Sequence, residues 1–95
     1  MGFIFEWDEN KAKKNLHKLS FHEARTVFTD TLMMTFPDED HSEEEYRQLS
    51  IGVSSNGRVL VVVHTERGER IRIISSRKAT KSERSDYEKG NFQKG

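Results

Sequence analysis

A chain of 95 residues, 34% of them charged and 33% hydrophobic, has room for a single domain over 1–95 with one modest core. It contains no cysteine, which excludes disulfide staples and thiolate metal sites, and no apolar run approaches the roughly 18 residues of a membrane span. Lys and Arg balance Asp and Glu at 16 each, but residues 1–47 hold 6 basic and 11 acidic side chains, whereas residues 48–95 hold 10 and 5. A molecule polarised in this way can present a basic surface despite its neutrality. The opening MGFIFEWDEN carries no signal-peptide pattern, and with the missing cysteines it points to a cytoplasmic protein.

FIFEW, from Phe3 to Trp7, reads as a first strand. Asp8 is suited to cap a helix whose apolar stripe is Ala12, Leu16 and Leu19. Ser20 opens a second helix through a capping box, its hydroxyl accepting from the Glu23 amide while Glu23 reaches back to the Ser20 amide. Phe21, Ala24, Val27 and Phe28 form the core face of that helix. Leu32 to Phe36 is a short strand stopped by Pro37, and PDEDHSEEEYR is an exposed acidic loop. Three strands follow, over Gln48–Ser54, Val59–Thr65 and Arg70–Ser75. Asn56-Gly57 suits a type I′ turn between the first two, and Arg67-Gly68 turns the next hairpin. Thr80-x-x-Glu83 boxes a third helix that runs to about Lys89, before Gly90. The order β-α-α-β-β-β-β-α predicts an α+β domain, an antiparallel sheet with helices gathered on one side.

The chemistry concentrates late in the chain. VLVVVH is apolar on both faces until His64, so it is a central strand covered on each side, with His64 where it emerges. His64 is either a structural histidine at a strand end or a general acid/base, since imidazole titrates near neutrality. On the next strand Arg70 and Arg72 point away from Ile71 and Ile73. Their partner is either a carboxylate (Glu66, Glu69 or the acidic loop) or a phosphate gripped by guanidinium. Arg67, Arg77, Lys78, Lys81 and Arg84 extend the positive field. Tyr87 either packs its helix on the sheet or offers a stacking face to an unpaired base. A metal is not expected: Asp38, Glu39, Asp40 and His41 are consecutive, and His17 and His22 are not at ligand spacing. No nucleophile elbow or phosphate-binding glycine loop is present, so no cofactor is expected.

FEWDENKAKKNLHKLSFHEARTVFTD, EEEYRQLSIG and VLVVVHTERGERIRIISSRKATKSERSDYE together resemble the BrnT family of bacterial toxins, from about Phe5 to Glu88. The resemblance implies a RelE-like fold and a metal-independent ribonuclease that inhibits translation by cutting RNA. It also implies a BrnA-like ribbon-helix-helix antitoxin, whose complex with the toxin binds promoter DNA. Carried over, the catalytic positions are His64 for proton transfer and Arg67, Arg72 and Arg77 on the phosphate. Arg47, Arg70, Lys78, Lys81, Arg84 and Tyr87 are the RNA-binding positions. The alternative is a noncatalytic module that only binds nucleic acid or protein.

Overall fold

The computed structural model describes residues 4–15, 20–38 and 46–93. Along the chain lie β1 (Ile4–Trp7), α1 (Glu9–Asn15), α2 (Phe21–Ala24), a 3-10 helix (Arg25–Thr29), β2 (Met34–Pro37), β3 (Gln48–Val53), β4 (Val59–Arg67), β5 (Arg70–Lys78) and α3 (Lys81–Gln93). The strands form one sheet in the order β1-β5-β4-β3-β2, which makes β4 its centre. Leu60, Val61 and Val62 are each at most 1% exposed, and burying a side chain of this kind contributes roughly 1.5–3 kcal/mol.

Alternate residues of β4 feed two cores. Leu60 and Val62 pack with Phe21, Ala24, Val27 and Ile73, joined by Phe5, Trp7 and Phe28. Val61 packs on the other face with Ile51 and Tyr87, joined by Met34, Leu49 and Val59. The helices therefore lie on both faces of the sheet rather than on one: α2 and the 3-10 helix cover the first, α3 the second. The sheet is also mixed, not antiparallel, because β1 runs parallel to β5. The overall class is α+β.

Local chemistry explains most boundaries. Asp8 caps α1, its carboxylate accepting from the Asn10 amide at 2.8 Å. Ser20 caps α2, accepting from the Glu23 amide at 3.0 Å, but Glu23 does not complete the box. Its carboxylate instead accepts from Ser54 Oγ at 2.6 Å and from Arg58, through Nε at 3.0 Å and through Nη2. The second helix tightens after one turn. Thr26 and Thr29 bond back to carbonyls three residues earlier, at 2.6 and 2.7 Å, which competes with the α pattern.

The β3–β4 turn is not type I′, since Gly57 has φ 76 while no non-glycine among the described residues, Asn56 included, has positive φ. Gly57 N donates to Ser54 O and Ser54 N to Arg58 O, the pattern of a type I turn followed by a left-handed glycine. Gly68, with φ 61, takes the first position of the two-residue β4–β5 turn, where glycine is needed for type II′. α3 runs past Gly90 rather than ending before it, and Met34 packs close there, its Sδ 3.1 Å from where a Cβ would lie. The acidic stretch 39–45, with Glu39, Asp40 and His41, lies outside the described residues, as do Leu16, His17 and Leu19.

Candidate functional site

Arg72 and Arg77 are an odd number of residues apart, so a regular strand would send them to opposite faces. A β-bulge prevents that. The register moves from Val63↔Ser75 to His64↔Ile73, leaving Ile74 as the extra residue. Arg77 therefore lies opposite Val61, and Arg72 opposite Thr65, both on the α3 face. Arg67 and Arg70, directly paired at the hairpin end, share it. So does Glu6, which pairs with Arg72 across the parallel β1–β5 ladder.

Among the described residues, Glu6 is the carboxylate that faces Arg70 and Arg72, at 3.4 and 3.7 Å; this anion comes from β1 rather than from Glu66 or Glu69. One carboxylate spans two guanidiniums, so this pair of strand positions keeps a net positive charge. Both arginines are accessible, with side chains 59% and 38% exposed.

Arg77 is held differently. Its two terminal nitrogens donate to the two oxygens of Glu83 at 2.6 and 2.8 Å. Glu83 also accepts from the Thr80 amide at 2.8 Å, while Thr80 Oγ1 accepts from the Glu83 amide at 3.1 Å. The capping box of α3 is thus reciprocal, and it aims a carboxylate at Arg77. The Arg77 guanidinium brings the Glu83 carboxyl down to about 2, against the opposing effect of burial. A phosphate approaching Arg77 has the same bidentate geometry to offer.

His64 lies on the opposite face from this arginine set. Its ring is 1% exposed, edge-on to Phe28 with ring centres 4.9 Å apart. Nε2 shares a hydrogen bond with Ser50 Oγ at 2.7 Å, and Ser50 Oγ another with Thr35 Oγ1 at 2.9 Å. Nδ1 is buried with no hydrogen-bond partner among the described residues. Burial pushes the imidazole down to about 4, so it is neutral at pH 7. The expectation that His64 and the arginines converge on one phosphate is therefore not met: the sheet stands between them.

The remaining positions separate as well. Tyr87 is 7% exposed within the α3-side core, so its ring is not offered to a base. Its hydroxyl donates to Asp30 Oδ2 at 2.5 Å. Asp30 also accepts from the Val53 and Leu32 amides, each at 2.9 Å. Burial pulls the Asp30 carboxyl up, but these bonds outweigh it and hold it below its usual value. Tyr87→Phe is expected to cost about 1.5–3 kcal/mol, the worth of a hydrogen bond to a charged group, read as a lower urea midpoint with an unchanged slope.

Arg47 immediately precedes β3. Its neighbour Tyr46 accepts from Thr65 Oγ1 at 2.8 Å, which places this strand end beside the Thr65–Arg72 pair. Lys78 lies opposite Leu60 and so leaves β5 on the other face from Arg77. Lys81 and Arg84 are exposed on the first turns of α3. Glu6 and Glu83 were missed as site residues. The Thr80 box carried a signal for Glu83, but nothing local in FIFEW marks Glu6. Among the described residues, no three His, Asp or Glu side chains come together to hold a metal ion, and no helix is long and apolar enough to cross a membrane.

The profile of a family of ribonuclease toxins of type II toxin–antitoxin systems, BrnT, matches residues 7–83. That span includes every arginine on this face and Glu83, and begins one residue after Glu6. The chain belongs to the BrnT family. It is accordingly a ribonuclease toxin of a type II toxin–antitoxin system, with RNA as its target and an antitoxin as its partner. A search of curated proteins found no match. The family assignment gives the BrnT-family arginine face its context, because a nucleic-acid backbone is the anion such a face would meet.

Proposed function

We propose that this chain is a metal-independent endoribonuclease whose phosphate chemistry runs on the α3 face of β5. The supporting observation is the bulge that brings Arg77 to the face of Arg67, Arg70 and Arg72, with one carboxylate between Arg70 and Arg72. In the reaction the ribose 2′-oxygen attacks phosphorus and the bond to the 5′-oxygen breaks, leaving a 2′,3′-cyclic phosphate and a 5′-hydroxyl. Negative charge grows on the non-bridging oxygens, and fixed guanidiniums stabilise it. Arg72 and Arg77 take that role, with Arg67 and Arg70 binding beside them and Arg47, Lys81 and Arg84 tracking the strand. With His64 behind the sheet, the proton of the 2′-hydroxyl passes to solvent, and solvent returns one to the departing 5′-oxygen. His64 is then a positioning residue, joined through Ser50 to β3.

The same reading makes the protein a cytoplasmic, RelE-like toxin that stops translation by cutting RNA. A BrnA-like ribbon-helix-helix antitoxin would cover the arginine face, and the pair would bind promoter DNA through the antitoxin. Burial of His64 favours one second reading, a noncatalytic binding module. Labelled single-stranded RNA, free and ribosome-bound, incubated with the protein in EDTA separates them. Cleavage with cyclic-phosphate ends is expected. Cleavage only after a divalent ion is added would overturn metal independence, and RNA binding with no cleavage under any condition would leave the binding module.

A further inference from the structure

A second concentration of cations lies at the other end of β5 from Arg70. There a cavity of about 290 Å³ opens between the start of β4, the end of β5 and the first turns of α3, lined by Gly57, Arg58, Val59, Lys78, Ala79 and Arg84. Its volume is near the lower end of small-ligand sites. Three lining side chains are cationic. None, among the described residues, is a carboxylate, an aromatic ring or a side-chain amide. A base would find nothing to stack on and nothing to read its edge, whereas a phosphate would find positive charge from three elements.

We propose that this cavity is a phosphate subsite that seats one backbone phosphate of the RNA strand, away from the phosphate being cut. The inference rests on the reading of the chain as an RNA-cleaving enzyme and adds Arg58 to the residues that hold the substrate. Arg58 is oriented before any ligand arrives. Glu23, itself 8% exposed, takes its Nε and Nη2 and is fixed in turn by Ser54 Oγ. A guanidinium held in place loses less freedom on binding than a loose one. Lys78 and Arg84, both exposed, add charge that Glu23 does not offset. At the left-handed Gly57 the wall is bare backbone, with nothing within 4 Å of a Cβ position, and the Ala79 amide on Val59 O at 2.9 Å joins the strand ends.

The cavity also adjoins the arginine face. Arg77 and Lys78 are consecutive but leave β5 on opposite faces, and Glu83, which holds Arg77, is followed by Arg84. A strand whose scissile phosphate meets Arg77 passes round this sheet end to reach the cavity. Arg77 and Lys78 face opposite sides of the sheet, so the scissile phosphate and the one in the cavity are different phosphates. Such a subsite reads charge and not sequence.

The test uses the full chain and a short RNA, comparing wild type with Lys78→Ala, Arg84→Ala, the double variant and Arg72→Ala, each checked by its thermal melt. The double variant is expected to raise KM about 10-fold more than it changes kcat. Its binding should lose about two from the slope of log affinity against log salt. One neutral methylphosphonate linkage, away from the cut, should reproduce that loss in wild type and cost nothing further in the double variant. The Gly57 amide resonance should shift with RNA. Unchanged KM and salt slope in the double variant, with cleavage still lost in Arg72→Ala, would overturn the subsite and leave the nuclease standing. Wild type that neither binds nor cleaves RNA would overturn the nuclease reading and the subsite together. A Gly57 shift with inorganic phosphate but none with RNA would make the cavity a free-phosphate site, overturning its assignment to the strand.

Discussion

Replacing Arg72 or Arg77 with alanine is expected to lower RNA cleavage by about 10²–10³-fold, the range for loss of one donor to a developing oxyanion. Neither change removes core packing, because both side chains are largely outside, at 38% and 46% exposed. The two should differ in detail. Arg72 shares Glu6 with Arg70, so Arg70 keeps that carboxylate partnered when Arg72 is removed. Arg77→Ala frees Glu83, which still accepts from the Thr80 amide, so α3 keeps its cap while a carboxylate faces the substrate alone. Arg77→Ala should therefore be the more damaging of the two, and Arg77→Lys should restore only part of the rate, since an ammonium lacks the two-pronged fork. His64→Gln should lower cleavage less than about 10-fold once folding is matched. Loss of cleavage in His64→Gln with both arginine variants active would place the chemistry on the other side of the sheet and sink this assignment.

How much of this was legible in the residues depends on the range of the interaction that fixes each feature. β4 as a central strand, apolar on both faces, follows from VLVVV because both faces are indeed packed. The caps at Asp8, Ser20 and Thr80 follow from contacts two or three residues apart. The parallel β1 does not, because its place beside β5 is set across more than sixty residues, with Phe5 and Trp7 drawn to the same core as Ile73. Glu6 becomes the partner of two arginines only through that pairing.

The bulge was hidden for a related reason. RIRIISSRKA contains no glycine or proline to announce an extra residue, yet Ile74 alone decides whether Arg77 joins Arg72 or turns its back on it. Without the bulge, strict alternation from the same hairpin would turn Arg77 to the face of Leu60 and His64. The acidic and basic halves of the chain are likewise interleaved in space, with Glu6 and Glu23 from the first half holding Arg70, Arg72 and Arg58 from the second. Charge segregation along a sequence does not by itself mean segregation over a surface.

Acid should unfold this protein through His64 before any carboxylate matters. The folded imidazole sits at about 4 against an ordinary 6.5, so the unfolded chain binds a proton that the folded chain refuses. That stabilisation is fully present above about pH 6.5, falls as pH drops towards 4, and is gone below it. A difference of this size is worth about 3 kcal/mol, a large share of the total for a domain this small. Among the described residues no carboxylate pairs with the ring, and the elements around it present Phe28, Ile73 and the hydroxyls of Ser50 and Thr35. The depressed carboxyls act lower: stabilisation from Glu83 is present above about pH 4.5 and is lost as pH falls towards 2. Urea melts at pH 7, 5.5 and 4.5 should show wild type losing most of that 3 kcal/mol, while His64→Gln, weaker at pH 7 for want of a well-fitted ring, changes little over the same interval. A wild type equally stable at pH 7 and 4.5, or a glutamine variant that falls in parallel with it, would mean that the buried ring is not what the fold protects from protons.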